Sequence, residues 1–90
     1  MTGSQRLDEW IRSGETRALA GHRIFVRTAA TPGLPALLLI HGYPTASYDW
    51  HRVWTRLAAR YSLYACDMLG FGMSDKPRSS DYSIARQADI

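Results

Sequence analysis

Apolar positions along the chain fall into stretches of different period. Leu7, Trp10 and Ile11 recur at i, i+3 and i+4, which predicts a short amphipathic helix near residues 5–13, with Ser4 as its cap and Gly14 as its end. Residues 16–20 and 23–28 read as two strands joined at Gly21-His22. In the second of them Ile24 and Val26 alternate with Arg23, Phe25 and Arg27, so the two sets point to opposite faces. The segment 31–35, Thr-Pro-Gly-Leu-Pro, is a turn-rich break. Residues 36–40, Ala-Leu-Leu-Leu-Ile, show no alternation and are too short for a buried helix. They predict a strand covered on both faces.

A loop over 41–49 follows. Then Trp50, Val53, Trp54, Leu57 and Ala58 trace the stripe of an amphipathic helix, with the two tryptophans most simply read as core. Residues 61–66 form a second apolar strand, and 67–81 a loop holding Gly70, Gly72 and Pro77. Ser83 has the character of an N-cap, and Ile84 and Ala88 begin another helix. Strand, loop, helix, strand, loop, helix is the order of a parallel α/β sheet. Such a sheet needs cover on both faces, and only two sheet-packing helices are available. The sequence therefore predicts an incomplete sheet, the N-terminal third or so of a larger α/β domain.

Composition narrows the class. Hydrophobic residues make up 46% of the 90 residues, which excludes a disordered tail. The net charge of +3 comes almost wholly from arginines scattered along the chain rather than clustered. A nucleic-acid partner is therefore not expected. The one cysteine, Cys66, rules out an internal disulfide and reads as a small core residue. No apolar run approaches the roughly 18 residues of a membrane span, and the first fifteen residues lack a signal-peptide core. The expectation is a cytoplasmic protein without a membrane partner. His22, His41, His51 and Cys66 lack metal-ligand spacing, so neither a metal nor a cofactor is expected.

Two blocks carry the candidate chemistry, each just after an apolar strand and so on the edge where open α/β sheets bind ligands. His41-Gly42-Tyr43-Pro44 is the first. A glycine there permits a tight turn and frees the next N–H to point inward, where it can stabilise an oxyanion. An ordinary strand-to-helix turn fits the same four residues. The second block runs from Asp67 to Pro77. It fails as a dinucleotide fingerprint, because Asp75 stands where the third glycine belongs. It also fails as a nucleophile elbow, because Lys76 replaces the closing glycine. It reads as a glycine-shaped loop held by Asp67, Ser74 and Asp75 bonding local amides.

Together, His41 to Trp50 and Asp67 to Pro77, with the later Tyr82-Ser83-Ile84 and Gln87-Ala88, resemble the N-terminal part of α/β-hydrolase-fold enzymes. The likeness is to the epoxide-hydrolase-like branch and, within it, to the mesoderm-specific transcript group. The resemblance spans roughly residues 16–90, with 1–15 as an N-terminal helical extension. It implies a β-hairpin followed by parallel strand-helix-strand-helix. It also implies an oxyanion-hole loop at His41, Gly42, Tyr43 and Pro44, in which the Tyr43 backbone N–H is a donor. His41, Gly42 and Pro44 would shape that loop, and Asp67, Gly70, Gly72 and Ser74 its neighbour. The family's nucleophile, acid and catalytic histidine would lie beyond residue 90. The isolated chain is then expected to be inactive, with a small-molecule substrate belonging to the complete protein and a C-terminal segment needed to finish the sheet. Haloalkane dehalogenases carry asparagine where Tyr43 stands, and a phenol cannot copy that amide. A dehalogenase or a Ser esterase of the same fold is the first alternative, and a non-catalytic truncated product or interaction module the second.

Overall fold

A computed structural model describes residues 2–42, 45–78, 82–83 and 87–90. Along the chain come α1 (Gly3–Arg12), β1 (Glu15–Leu19), β2 (His22–Ala29), β3 (Ala36–Leu39), a 3-10 turn (Ser47–Trp50), α2 (Trp54–Ala58) and β4 (Ser62–Cys66). The strands form one mixed sheet in the order β1-β2-β4-β3. β1 and β2 are antiparallel, β4 runs antiparallel to β2, and β3 lies parallel to β4 with Leu37 opposite Leu63.

α1 starts two residues earlier than its apolar spacing suggests. Thr2, not Ser4, is the cap: its hydroxyl accepts from the Gln5 N–H, and the Gln5 side chain accepts from the Thr2 N–H in return. The hairpin closes one residue earlier too. Leu19 pairs with His22, so Ala20 and Gly21 form a two-residue turn with φ of +50° and +80°. Positive φ at both positions matches the twist of the flanking strands.

The alternation in β2 separates two cores. Phe25 joins Trp10, Leu39, Trp54, Leu63 and Ala65 on the face covered by α1, the 3-10 turn and α2. Ile24 and Val26 pack with Leu69 on the other. Around Trp50 the expected continuous helix is broken. Residues 47–50 wind as a 3-10 turn and only Trp54–Ala58 is α-helical, so Val53 is left largely exposed. Trp54 is core, whereas Trp50 is only partly buried, with its indole N–H unpaired among the described residues.

β3 corrects the expectation of two covered faces. Leu37 and Leu39 turn toward the Trp10 core, but Leu38 is 62% exposed and Ile40 61%. Leu38 stands opposite Tyr64, itself 39% exposed, so the second face of the sheet is bare at this end. Among the described residues β3 is also the last strand in the order, with an unpaired outer side. The expected helix start at Ile84 lies outside the described residues; beside it, the Gln87 N–H donates to the Ser83 carbonyl at 3.0 Å.

Candidate active-site loops

Parallel pairing of β3 and β4 brings the loops after both strands to one edge of the sheet. His41 joins them. Its Nε2 accepts from the Met68 N–H at 2.9 Å, which leaves the proton on Nδ1, and Nδ1–H donates to the Gly42 carbonyl at 2.8 Å. Both ring nitrogens of this buried side chain are thus committed to backbone. The ring also meets Phe71 edge to face at 5.5 Å. The Gly42 carbonyl takes a second bond from the Thr45 N–H at 3.1 Å. Tyr43 and Pro44 lie outside the described residues. Gly42 does not have a positive φ, and among the described residues nothing lies within 4 Å of where a Cβ would stand.

Asp67 is the hub of the second loop. One carboxylate oxygen accepts from the Ser47 N–H at 2.8 Å and the Ser47 hydroxyl at 2.5 Å, and the other from the Met73 N–H at 2.8 Å. Ser74 donates its hydroxyl to the Asp67 carbonyl at 2.5 Å and accepts from the Phe25 N–H at 2.9 Å. Asp75 accepts from the Arg23 N–H at 2.8 Å. The expectation of local bonding holds only for Asp67 with Met73. Most of these side chains reach β2 or the 3-10 turn, because the loop folds back beside β2, with the Asp75 N–H on the Arg23 carbonyl at 2.9 Å. Leu69 is clamped through its backbone: the Gln87 amide accepts from its N–H at 3.0 Å and donates to its carbonyl at 2.9 Å.

Gly70 and Gly72 have φ of +91° and +53°. At Gly72 a Cβ would collide with the Asp67 carboxylate and lie 3.0 Å from the Ala46 methyl. A left-handed φ costs a non-glycine residue about 1–2 kcal/mol, and forced overpacking a further 1–3 or so. Gly72→Ala is therefore expected to lower stability by about 3 kcal/mol, read as a lower denaturation midpoint. An unchanged midpoint would show that the loop does not need this approach.

Sequence reasoning missed Trp10. From α1 its indole N–H donates to the Ser47 hydroxyl at 3.2 Å, so the first helix props the same serine that Asp67 holds. The i, i+3, i+4 spacing marked Trp10 as buried but gave no sign of a partner 37 residues away.

Cys66 ends β4 beside the Ile24 cluster. Burial, and secondarily the neighbouring Asp67 charge, pushes its thiol above the ordinary range. Little thiolate forms near neutral pH, and the thiolate is the nucleophile. Alkylation in the native protein is expected to be on the order of tenfold slower than in denaturant, accelerating only above the usual thiol range. Equal native and denatured rates would contradict this.

Similarity to known proteins runs the length of the chain. A family model described as the alpha/beta hydrolase fold matches residues 35–90. The mesoderm-specific transcript protein of Mus musculus is 44% identical over 90 residues, covering 97% of this chain and 27% of that protein. The crystal structure of a bacterial membrane phospholipase A superposes with a TM-score of 0.83 at 30% identity, over 96% of this chain and 29% of that one. The haloalkane dehalogenase DbeA of Bradyrhizobium elkani gives 0.76 at 34% identity, over 86% of this chain and 26% of the enzyme. The chain thus spans little more than a quarter of the length of these relatives. With a matching family model, near full-length likeness and the β1-β2-β4-β3 sheet, it belongs to the α/β-hydrolase-fold family.

Proposed function

We propose that this chain supplies the oxyanion-hole loop of an epoxide-hydrolase-like enzyme. Residues 16–90 form the N-terminal portion of the hydrolase domain and 1–15 a helical extension. The nucleophile, acid and catalytic histidine come from polypeptide beyond residue 90. The substrate is a small molecule, and the enzyme acts in the cytoplasm. One observation carries the reading: the Gly42 carbonyl is fixed by His41 Nδ1–H and the Thr45 N–H. A peptide unit is planar, and in the trans form its carbonyl and the next N–H point to opposite edges. Fixing the carbonyl of a strand-end loop holds its peptide plane in one orientation, and in this reading the amide of that plane, which belongs to Tyr43, is the oxyanion donor. A donor of this kind is worth roughly 2.7–4 kcal/mol of transition-state stabilisation in known cases.

In the proposed mechanism an aspartate carboxylate attacks one epoxide carbon and the bond from that carbon to the ring oxygen breaks. The oxygen takes a proton from an acid beyond residue 90 or from water, giving a hydroxyalkyl-enzyme ester whose alcohol stays on the neighbouring carbon. Water, activated by histidine, then adds to the ester carbonyl, and the Tyr43 amide stabilises the oxyanion that forms. His41 acts here as a brace, since both its nitrogens are already bonded. Later polypeptide pairs with the free side of β3 and covers Leu38, Ile40 and Tyr64.

The likeness to a phospholipase supports a second reading, a serine esterase on the same scaffold. A single turnover of the complete polypeptide in oxygen-18 water separates the two. Label entering an aspartate carboxylate supports the first, and labelling of a serine by a fluorophosphonate supports the second. Absence of both, together with no hydrolysis of epoxides or esters, overturns the catalytic reading and leaves an interaction module. The isolated 90-residue chain is expected to turn over neither substrate class.

A further inference from the structure

A second cavity, of about 360 Å3, opens between α1, β2 and the start of α2. Its lining includes Arg6, Arg27, Arg52 and Thr55, with Glu9 as the one acidic group. Its volume falls in the range of about 300–1,000 Å3 that holds small ligands.

Arg27 is the fixed point. Its guanidinium carbon lies 4.3 Å from the centroid of the Trp10 ring and 4.9 Å from that of Trp54. The two indoles brace each other edge to face at 5.0 Å, and Trp10 is itself tied to Ser47. The guanidinium is thus held in place before any ligand arrives, which removes much of the entropy loss of binding. Among the described residues no hydrogen bond uses its N–H groups and no carboxylate comes within ion-pair distance. Indole faces attract the charge but take none of its N–H donors, which stay open to the cavity. Burial also holds the Arg27 guanidinium below its ordinary value, with Glu9 only opposing the effect. A positive charge has therefore been partly taken out of water with only Glu9, beyond ion-pair distance, opposing the loss, and a bound anion would offset more of it.

We propose that this cavity binds the phosphate of a hydroxylated small molecule, with the Arg27 fork as the rigid contact and Arg6, Arg52 and Thr55 closing around the remaining oxygens. Arginines approaching from α1, from β2 and from the turn before α2 suit a tetrahedral oxyanion with several acceptors better than a planar carboxylate. Glu9, an acceptor, suits a hydroxyl beside the phosphate. The site uses none of the residues of the His41–Gly42 loop, so it stands whether or not the hydrolase reading does.

Glycerol 3-phosphate, titrated into the complete polypeptide at constant ionic strength against chloride, tests this by tryptophan fluorescence and thermal shift. Saturable binding is expected, weakened about tenfold or more in Arg27→Lys and in Arg52→Gln, since charge-assisted arginine contacts are among the strong ones. Arg27→Lys keeps the charge and removes the fork. Arg52 lies on the surface, so Arg52→Gln keeps the test open should Arg27→Lys fail to fold. A parallel arm uses phosphatidylcholine vesicles with and without phosphatidic acid. Arginine-dependent sedimentation there, without a response to the soluble ester, assigns the phosphate to a lipid headgroup and keeps the site. No response in either arm, or equal binding by the variants and the parent, overturns the proposal.

Discussion

Asp67→Ala is expected to destabilise the fold by about 4 kcal/mol, seen as a lower urea midpoint at unchanged slope. The carboxylate is 3% exposed and accepts from the Ser47 N–H, the Ser47 hydroxyl and the Met73 N–H. Hydrogen bonds to a charged group contribute roughly 1.5–3 kcal/mol each, and a donor left buried without a partner loses a further 1–3 or so. The three do not add, because the Ser47 hydroxyl can rotate elsewhere while the two backbone donors cannot. Asp67→Asn keeps the shape but turns one acceptor into a donor facing an N–H, and is expected to lose about 2 kcal/mol. If Asp67→Ala shifts the transition by less than about 1 kcal/mol, the two loops are held by something other than this hub. Because Asp67 governs Ser47, and through it the chain leading back to Gly42, any activity of the complete protein should fall further than stability alone requires.

Trp10→Ala carries the other large effect, also about 4 kcal/mol. Truncating a buried Phe or Trp typically removes about 3–5 kcal/mol. Trp10 is 4% exposed, packs on Trp54 and Tyr48 edge to face, and bears the Arg27 guanidinium. Its bond to Ser47 is a smaller share, so Trp10→Phe is expected to lose about 1–2 kcal/mol. Thermal denaturation of both variants decides which part matters. Equal losses would put the hydrogen bond above the packing. Were both negligible, α1 would be an appendage rather than part of the core.

The readable parts of the fold were those set by local period. The alternation of β2 separated its faces correctly, and the apolar runs located β3 and β4 to within a residue. Around Trp50 the same method joined a 3-10 turn and a short α-helix into one element. Side chains at i and i+4 look alike to both until Asp67, twenty residues away, takes the Ser47 N–H and fixes the tighter winding. β3 misled for another reason: an uninterrupted apolar run predicts cover on both faces, and among the described residues nothing covers Leu38 and Ile40. At the candidate site the motif marked His41 and Gly42, but not their bonds. Those to Met68 and from Trp10 to Ser47 cross 27 and 37 residues, and no window along the sequence reports such a span.

The interior position of β4 sets an order of events. β2 and β3 never touch as neighbours, since each bonds to β4 from its own side. Until Ser62–Cys66 has emerged from the ribosome, only the hairpin has a partner, and β3 waits with both rims unsatisfied. At roughly 5–20 residues per second, that wait lasts on the order of seconds. Emergence of five residues, Ser62–Cys66, then lets both halves zip up at once. β4 is the strand on which nascent-chain assembly turns, and a proline there, which removes a ladder donor between two neighbours, would prolong the aggregation-prone interval more than the same change in β1.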